Sequence, residues 1–417
     1  MNVLVYAGPG TSAGSVRHTI RSLKLLLSNC YDVQPVEPAV LSAPSSAWKE
    51  ATALLVIPGG RDLPYVQHLS PAGTESIMDY VKSGGSYLGF CAGAYFACGS
   101  VDFCTHLHCE DVSEADPLNR IQGSRDLGFF SGTAYGSVTP KFAYNSEQGS
   151  HAVTISLNPD STQTFNMSHA KDLDVYVNGG PFFKVDAPSK DIETLCWYTS
   201  LSKEPKSAIV QCRVEKGMAV LCGPHIEYDA RLIASHLAQK DLTDALSRES
   251  RERLEEILPE LIKSDNDRID LLRNILVRLG LKVNASSDFD EAPESPVFHL
   301  SLVKDDNSNL PNMESLELEP TKPIQDSLTL WGIVSLHRHD SKSYCKSDHL
   351  EIVRCTLDDL QENRIPKTKL NLQKYITEWN RARSAGQMDS YSSRAGSFGS
   401  AIMYGDVVSS TKTLLEK

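Results

Sequence analysis

The sequence predicts an α/β fold built on a doubly wound, mostly parallel sheet. Short segments that are almost wholly apolar alternate with segments of helical period over the first hundred residues. Strands buried on both faces have this composition, and they are typical of parallel sheets covered by helices. Two of the apolar segments run directly into glycine turns, at Gly59-Gly60 and near Gly89. Because active sites in such sheets lie at the carboxyl ends of strands, both turns are candidate sites.

The predicted elements of this region follow one another in a regular order. The predicted strands are residues 2–7, 32–36, 53–57 and 86–90. The predicted helices are residues 14–27 and 74–82, where apolar side chains recur at helical spacing. The first and third strands end in loops that contain glycine, and the fourth leads into the turn at Cys91.

The next region is richer in strands. Turn residues separate its β-rich segments, which cover residues 152–157, 175–180, 194–198 and 208–213. A further buried strand, residues 218–223, ends just before His225. Residues 231–281 predict amphipathic helices that end near Gly280, and we expect them to pack on their own domain rather than to bind a partner.

The segment around Cys91 has the pattern of a nucleophile at the tip of a sharp strand-to-helix turn. Glycines stand two residues before it and two residues after it, at Gly89 and Gly93. They allow a tight turn and leave room for a ligand. A thiol at the start of a helix is also favoured as thiolate. The alternative interpretation is that Cys91 is a small buried apolar residue.

A base and its orienting acid are available further along the chain. His225 follows the strand 218–223, and Glu227 comes two residues later. A cysteine nucleophile needs a base, and the base needs an acceptor that orients it. Cys91, His225 and Glu227 fill these roles if the two strands are neighbours. The alternative is a structural or surface histidine.

Composition excludes several classes of function. The chain has 417 residues and a formal charge of −12, which disfavours nucleic acid as the main partner. No apolar run approaches the roughly 20 residues that cross a bilayer, so we expect no membrane partner. The ten cysteines have no framework spacing, and residues 1–6 resemble a strand rather than a signal peptide. We therefore expect reduced cysteines and a cytoplasmic location.

One cluster has spacing that resembles a metal site. Cys104, His106, His108 and Cys109 form a C-x-H-x-H-C pattern in a polar setting. A second pair of ligands at a recognisable separation is missing from the sequence around it. We therefore expect a solvated surface loop here and no metal.

Composition also divides the chain into regions. Residues 283–326 are rich in Asn, Ser, Asp, Glu and Pro, which predicts an acidic flexible linker. Residues 399–417 predict a strand and the start of a helix capped by Ser410 or Thr411, and we expect the sequence to be cut there. The full set of predicted regions is 1–240 (α/β domain), 241–282 (helical extension), 283–326 (linker), 327–383 (small α+β region), 384–398 (Ser/Gly-rich linker) and 399–417.

Residues 1–240 resemble the class I glutamine amidotransferase-like fold, which has a flavodoxin-like sheet. The matching motifs are Pro58-Gly59-Gly60, Gly89-Phe90-Cys91-Ala92-Gly93 and His225-Ile226-Glu227. The resemblance implies that Cys91 attacks an amide, His225 acts as base and acid, and Glu227 orients it. Backbone groups at Gly59, Gly60 and Ala92 would hold the oxyanion. Glutaminases usually carry Gln, Glu or His in place of Tyr95 and Pro in place of Ile226, so we expect no hydrolysis of glutamine.

A second resemblance, to the N-terminal region of fungal-type biotin protein ligases, runs from the first strand to the last residue. Its motifs here are residues 91–95, 126–132, 144–147, 176–180 and 404–412. The last motif is similar to the first strand and helix of the ligase catalytic domain, where a Ser-Thr pair, here Ser410-Thr411, helps to bind biotin.

The resemblance implies a parent reaction in which ATP, with Mg, activates biotin for attachment to a lysine of carboxylases. The implied partners are the biotin-acceptor domains of carboxylases and the ligase catalytic domain. The 417 residues contain no Gly-Arg-Gly-Arg-Gly-type loop for the adenylate phosphate, so we expect no ligase activity from this chain alone. The implied role is regulatory or substrate-discriminating. The alternatives are a stand-alone thiol hydrolase acting on an amide and a catalytically silent scaffold.

Overall fold

The computed structural model describes residues 1–27, 30–44, 47–104, 120–161, 172–185, 189–238 and 247–284, and the backbone of five later strands. The chain divides into two compact units, Met1–Phe289 and Asp290–Lys417. None of the helices in the described ranges combines the length and the apolarity that crossing a membrane requires.

The described residues of the first unit contain thirteen strands and eight helices. The strands are β1 (Asn2–Tyr6), β2 (Asp32–Val36), β3 (Thr52–Ile57), β4 (Ser86–Phe90), β5 (Cys98–Cys104), β6 (Arg120–Ser124), β7 (Phe130–Gly136), β8 (His151–Leu157), β9 (Asp172–Val177), β10 (Phe182–Val185), β11 (Ile192–Tyr198), β12 (Lys206–Val214) and β13 (Gly217–Cys222). The helices are α1 (Ala13–Leu27), α2 (Pro38–Leu41), α3 (Ala47–Ala51), α4 (Asp62–Leu69), α5 (Ala72–Lys82), α6 (Ala92–Phe96), α7 (Ala230–Ala238) and α8 (Arg248–Arg278).

The first part of the sheet is parallel and doubly wound. Its strands lie in the order β2-β1-β3-β4-β13, and every neighbouring pair is parallel. The chain reverses its direction of winding between β1 and β3, as in flavodoxin-like sheets. The α/β class and the winding predicted from the sequence are therefore confirmed. The reason is visible in the burial: β3 and β4 are almost wholly enclosed, which only a two-sided helical cover provides.

The second part of the sheet is mainly antiparallel. Strands β12, β10 and β7 continue from β13 by antiparallel pairing, and β11, β8 and β9 branch from β12. Among the described strands of this part, β5 and β7 form the only parallel pair. The strands predicted at 152–157, 194–198 and 208–213 correspond to β8, β11 and β12.

The surface loop predicted around Cys104 is wrong at its two ends. Cys104 is a buried residue at the end of β5, and Arg120–Ser124 forms β6, which pairs with β5 in an antiparallel ladder. Strand β7 pairs with the other side of β5 and encloses Cys104, whereas β6 stays largely exposed, and local composition gives no sign of either pairing. His106, His108 and Cys109 lie outside the described residues.

Helix α8 packs on the first unit. It contacts β8, β9 and α7, and its apolar face joins a cluster with residues of β9 and α7. The first unit therefore continues beyond residue 240, where the sequence placed the end of the α/β domain. The prediction that the helices of 231–281 pack on their own domain agrees with this contact.

The second unit contains a five-stranded sheet. Its strands are β14 (Val297–Leu302), β15 (Ile324–Asp326), β16 (Thr329–Arg338), β17 (His349–Cys355) and β18 (Ala401–Tyr404), in the order β15-β16-β17-β14-β18. Strands β14 and β15 fall within the segment predicted as a linker, which is wrong for those residues, because β14 pairs with the distant strands β17 and β18 and β15 pairs with β16. Ser410 and Thr411 lie outside the described residues.

Candidate functional site

Two strand ends bring Cys91 and His225 to the same edge of the sheet. Strands β4 and β13 are parallel neighbours, with Phe90 opposite Cys222 in the last register position. The Cys91 N–H donates to the Cys222 carbonyl over 2.9 Å. Since His225 follows Cys222 by three residues, the condition that the sequence set for a triad is met: the two strands are neighbours.

The turn at Cys91 has the geometry of a nucleophile elbow. Cys91 has φ 47° and ψ −104°, in a region that residues with a side chain rarely adopt. Holding such a conformation costs on the order of 1–3 kcal/mol, and it is found at functional sites. Gly93 is required here because a Cβ on it would lie 2.0 Å from the Ile57 carbonyl oxygen. The helix that follows, α6, has only five residues, so its dipole is small.

His225 is buried between an acid and the thiol. Its Nδ1 lies 2.7 Å from Oε1 of Glu227, a carboxylate with no exposed surface. Burial by itself lowers the pKa of His225, but the Glu227 carboxylate and hydrogen-bonded Cys91 outweigh it and raise that pKa to about 10. The Glu227 carboxylate and Cys91 thus favour the imidazolium form of His225, which contacts Cys91 on one side and Glu227 on the other. The contacts run in the order thiol, imidazole and carboxylate, and the roles of nucleophile, base and orienting acid stay predictions.

Ser15 on α1 joins the acid to the glycine turn after β3. Its hydroxyl donates to Glu227 Oε1 over 3.2 Å and accepts the Gly59 N–H over 2.8 Å. Glu227 Oε2 is buried and has no hydrogen-bond partner within the described residues. Gly59 must lack a side chain because a Cβ there would lie 2.4 Å from Cε1 of His225. Sequence reasoning missed Ser15, since nothing local distinguishes it from any other helical serine.

The backbone donors predicted for the oxyanion are only partly available. The Gly59 N–H is engaged by Ser15, so Gly59 serves the close approach of His225 instead. The bridge between Thr11 and Gly60 uses the N–H groups of Ser12 and Arg61, which leaves the Gly60 N–H outside it. Ala92 is the first residue of α6, where an N–H has no partner within the helix. Gly60 and Ala92 stay the predicted pair of donors.

Aromatic rings enclose the imidazolium. Tyr228 lies 4.7 Å from the His225 ring, and Tyr176 lies 5.6 Å from it. Tyr176 and Tyr228 stack on each other at 4.4 Å, and His18 stacks on the far side of Tyr228 at 4.2 Å. Burial raises the pKa of both tyrosines far above the ordinary value, so both remain neutral hydroxyls. This wall excludes water from one side of the base.

A second carboxyl group lies near the base. Glu147 accepts a hydrogen bond from the Tyr176 hydroxyl. Burial raises the pKa of Glu147, and the charge of His225 opposes that rise. The Cys91 thiol faces the Asn178 carbonyl at 3.8 Å, and the Asn178 amide donates to the Ser146 carbonyl over 3.0 Å. The motifs 144–147 and 176–180, to which the sequence assigned no role, therefore meet beside the thiol.

The rim and the floor of the site have different characters. At the rim the Arg61 guanidinium lies 4.3 Å from the ring centre of Tyr144, whose side chain is 37% exposed. Below it, Tyr95 is buried and its hydroxyl donates to the Gly179 carbonyl over 3.2 Å. Tyr95 stands where glutaminases usually carry Gln, Glu or His, and here its hydroxyl supports the turn after β9.

Metal ligands are not grouped in the part of the chain that the structure describes: no set of three or more His, Cys, Asp or Glu side chains there has the arrangement to hold an ion. The geometry that is present belongs to thiol chemistry. It can polarise a carbonyl, stabilise a thiolate by an adjacent imidazolium and deliver a proton to a leaving group.

Comparison with known proteins places this chain in a family. The family described as "Biotin-protein ligase, N terminal" matches residues 1–302. A biotin–protein ligase of Schizosaccharomyces pombe is 33% identical over 283 residues, which cover 68% of this chain and 38% of that protein. An uncharacterized protein of Chlamydia muridarum is 35% identical over 229 residues, which cover 54% of this chain and 80% of that protein.

Solved structures of low identity were also found. A glutamine amidotransferase of Thermotoga maritima is 15% identical, covers 68% of this chain and 100% of its own, and has a TM-score of 0.41. A glutamine amidotransferase of Methylobacillus flagellatus is 12% identical, covers 68% of this chain and 96% of its own, and has a TM-score of 0.40. The matched part of the chain spans 38% of the length of the Schizosaccharomyces pombe ligase. By the family match over residues 1–302, the chain belongs to the biotin–protein ligase N-terminal family.

Proposed function

We propose that this chain is the regulatory, substrate-discriminating N-terminal part of a biotin–protein ligase. The observation that carries the proposal is the family match over residues 1–302, supported by the similarity to the yeast ligase. In the parent reaction, ATP with Mg activates biotin, which is then attached to a lysine of a carboxylase. The proposed partners are the biotin-acceptor domain and the ligase catalytic domain. The residues linked to biotin by resemblance, Ser410 and Thr411, lie outside the described residues, and the proposal assigns this chain no adenylation step.

The test measures biotinylation of a carboxylase acceptor domain by the catalytic domain of a fungal biotin ligase, with and without this chain supplied separately. A discriminating module changes the KM for the acceptor more than kcat, because it acts on binding. The Cys91→Ser variant, tested beside the wild type, separates a role of the thiol from a role of the surface. An unchanged KM and kcat at saturating chain would contradict the proposal. So would formation of biotinyl-AMP by this chain alone.

A second candidate function is favoured by the geometry of Cys91, His225 and Glu227: hydrolysis of an amide by a thiol. In this reaction the Cys91 thiolate forms a bond to the carbonyl carbon, and the oxyanion is held by the N–H groups of Gly60 and Ala92. The carbon–nitrogen bond breaks as His225 gives its proton to the leaving amine. Water then attacks the thioester, His225 takes a proton from that water, and the acid and the thiolate are released.

The second candidate is tested with two probes. With p-nitrophenyl acetate we expect a burst of p-nitrophenolate and an acetyl group on Cys91, both lost in Cys91→Ser. With glutamine we expect no ammonia above background, because Tyr95 and Ile226 replace the residues usual in glutaminases. Steady ammonia release that disappears in Cys91→Ser would contradict the expectation about glutamine. Absence of acetylation at Cys91 would contradict the thiol reaction itself.

A further inference from the structure

A buried ion pair on α8 lies directly behind the turn that carries the base. The guanidinium of Arg268 donates from Nε to Asp265 Oδ1 over 2.8 Å, and both side chains are 4% exposed. A buried cation is costly unless it is paired and its remaining donors are used. The remaining donors of Arg268 and the remaining acceptor sites of Asp265 therefore need partners inside the fold.

The second contact of Arg268 is with the backbone between base and acid. Its Nη1 donates to the Ile226 carbonyl over 2.9 Å. Ile226 is the residue that joins His225 to Glu227, and its own side chain is fully buried. Because the guanidinium is a rigid planar fork, the contact with Asp265 fixes the direction of the bond to Ile226. The peptide between the two catalytic candidates is thus held from outside the parallel sheet.

The same ion pair also holds the end of this turn. Asp265 Oδ1 accepts the N–H of Ala230, the first residue of α7, over 3.3 Å. Asp229 caps α7 by accepting the N–H groups of Arg231 and Leu232 over 2.8 Å and 3.1 Å. Burial by itself raises the pKa of Asp229, but the charge of Arg268 is the chief of the influences that hold it below the ordinary value. The turn from Ile226 to Ala230 therefore has Arg268 and Asp265 behind both of its ends.

Helix α8 reaches the opposite wall of the site as well. The N–H of Glu147 donates to the Ser250 hydroxyl over 3.1 Å, and Arg253 donates to the Ser150 carbonyl over 2.6 Å. One helix thus contacts both the loop of the second carboxyl group and the turn of the base.

We infer that Arg268 is a positioning residue for the thiol centre: through the Ile226 carbonyl it holds the turn that presents His225 to Cys91 and to Glu227. The inference rests on the second candidate function, since it needs a reactive thiol centre but no particular substrate. Arg268 touches no ligand, so its effect appears only through the orientation of His225.

The probe is iodoacetamide, which alkylates the Cys91 thiolate without using any binding site. The rate is measured by mass spectrometry of the Cys91 peptide from roughly pH 5 to roughly pH 10, a range that reaches the pKa of His225. The titratable groups that face His225 from the surrounding elements are Cys91, Glu147, Tyr176, Glu227 and Tyr228. They are the same in every variant used.

The variants are Arg268→Gln and Arg268→Lys, with Arg278→Gln and Arg278→Lys as matched controls. Arg278 is also on α8 and is also paired, but its partners are Glu193 and Gln211 on β11 and β12. We expect Arg268→Gln to lower the alkylation rate at neutral pH by about tenfold, because a small misplacement of a catalytic group has an effect of at least that size. Its pH profile should shift as well. Arg268→Lys should restore part of the rate, and the Arg278 variants should behave as the wild type.

A folded Arg268→Gln variant with the wild-type rate and profile would overturn the inference. If that variant shows no cooperative thermal transition, Arg268→Lys against Arg278→Lys decides: a shifted profile in the first supports the inference, and identical profiles overturn it. A His225→Asn variant distinguishes a failure of the thiol centre from a failure of the role of Arg268. If it alkylates as the wild type does, the thiol centre itself fails; if it is slow while Arg268→Gln is normal, only the role of Arg268 fails.

Discussion

The two walls of the site have different origins. One wall consists of the ends of parallel strands: the elbow after β4, the glycine turn after β3 and the His-Glu turn after β13. The other wall comes from the antiparallel part of the sheet and supplies Tyr176 and Glu147, while Arg268 of α8 lies behind the turn of the base. The first wall carries the groups that would react. The second wall supports their orientation and limits their access to water.

The reactive side chains and the side chains that support them are encoded differently in the sequence. The groups of the first wall lie within a few residues of a strand end, where the topology alone brings them together. Other groups act on the site across long separations in sequence, as Ser15 of α1 does on Glu227 and Arg268 of α8 on Ile226. Four substitutions test the groups of the first wall and one of these long-range contacts.

The largest effect is expected from His225→Asn, which removes the imidazolium beside Cys91. We expect the rate of Cys91 alkylation at neutral pH to fall by about 100-fold, the lower range for loss of a positioned acid or base. The exposed thiol of Cys30 in the same sample is the control and should react unchanged. Equal losses at both cysteines would point to a general change, and no loss at Cys91 would show that the first wall is not a thiol centre.

The next effect concerns Glu227→Gln and the dependence of stability on pH. The pKa of His225 is raised from the ordinary 6.5 to about 10 in the folded chain. Its contribution to the free energy of unfolding is therefore full below pH 6.5 and is lost as the pH rises through about 10. That loss has a slope of at most about 1.4 kcal/mol per pH unit for one proton.

Removing the Glu227 carboxylate lowers the pKa of His225, so the slope should be largely absent from Glu227→Gln between neutral and alkaline pH. Urea unfolding at a series of pH values measures it. Glu255→Gln, which removes an exposed carboxylate of α8, should keep the wild-type slope. A wild-type slope in Glu227→Gln would mean that Glu227 does not charge the base.

A smaller effect is expected from Gly59→Ala, which places a methyl group against the His225 ring. Overpacking of this kind costs about 1–3 kcal/mol. Gly14→Ala is the matched control, since a Cβ at Gly14 in α1 meets nothing closer than 3.5 Å. That control should be neutral or should stabilise the helix by up to about 1 kcal/mol. Urea midpoints compare the two, and equal stabilities would contradict the close approach of Gly59 to the base.

The smallest effect is expected from Ser15→Ala, which removes the hydroxyl that donates to Glu227 from a distant part of the sequence. Loss of a buried hydrogen bond costs about 1 kcal/mol. Ser86→Ala is the control, because the Ser86 hydroxyl donates to the Leu279 carbonyl at the amino end of β4, away from the site. Both variants should lose similar stability, but only Ser15→Ala should change the rate of Cys91 alkylation. If neither changes that rate, α1 has no influence on the triad.

The sequence predicts the first wall well and the second poorly, for a physical reason. The parallel strands, the elbow at Cys91 and the pair at His225 and Glu227 are all visible as local patterns of burial and glycine. Gly59 was expected to donate to an oxyanion, but its N–H is taken by Ser15, a residue that only the folded chain brings near. Arg268 has the same property: an arginine on an amphipathic helix resembles any solvated cation until its partners are known.

The errors in the fold have the same cause. Residues of β5 and β6 have too little apolar periodicity to be recognised. The burial of β5 depends on its pairing with β7, and β6 is defined by its pairing with β5. Strand β14 lies in a polar segment and is defined by partners in β17 and β18. Pairing across long separations is not a property of a window of sequence, so it is lost to any local interpretation.

The position of α8 late in the sequence has a consequence for synthesis of the chain. Domains are made from the N-terminus, and partly made chains begin to fold before the rest has appeared. The elbow at Cys91 and the strands around it emerge from the ribosome well before Arg268 and Ser250, which hold the base and the Glu147 loop. On the proposal that Arg268 positions the base, the centre around Cys91 is complete only after α8 has docked.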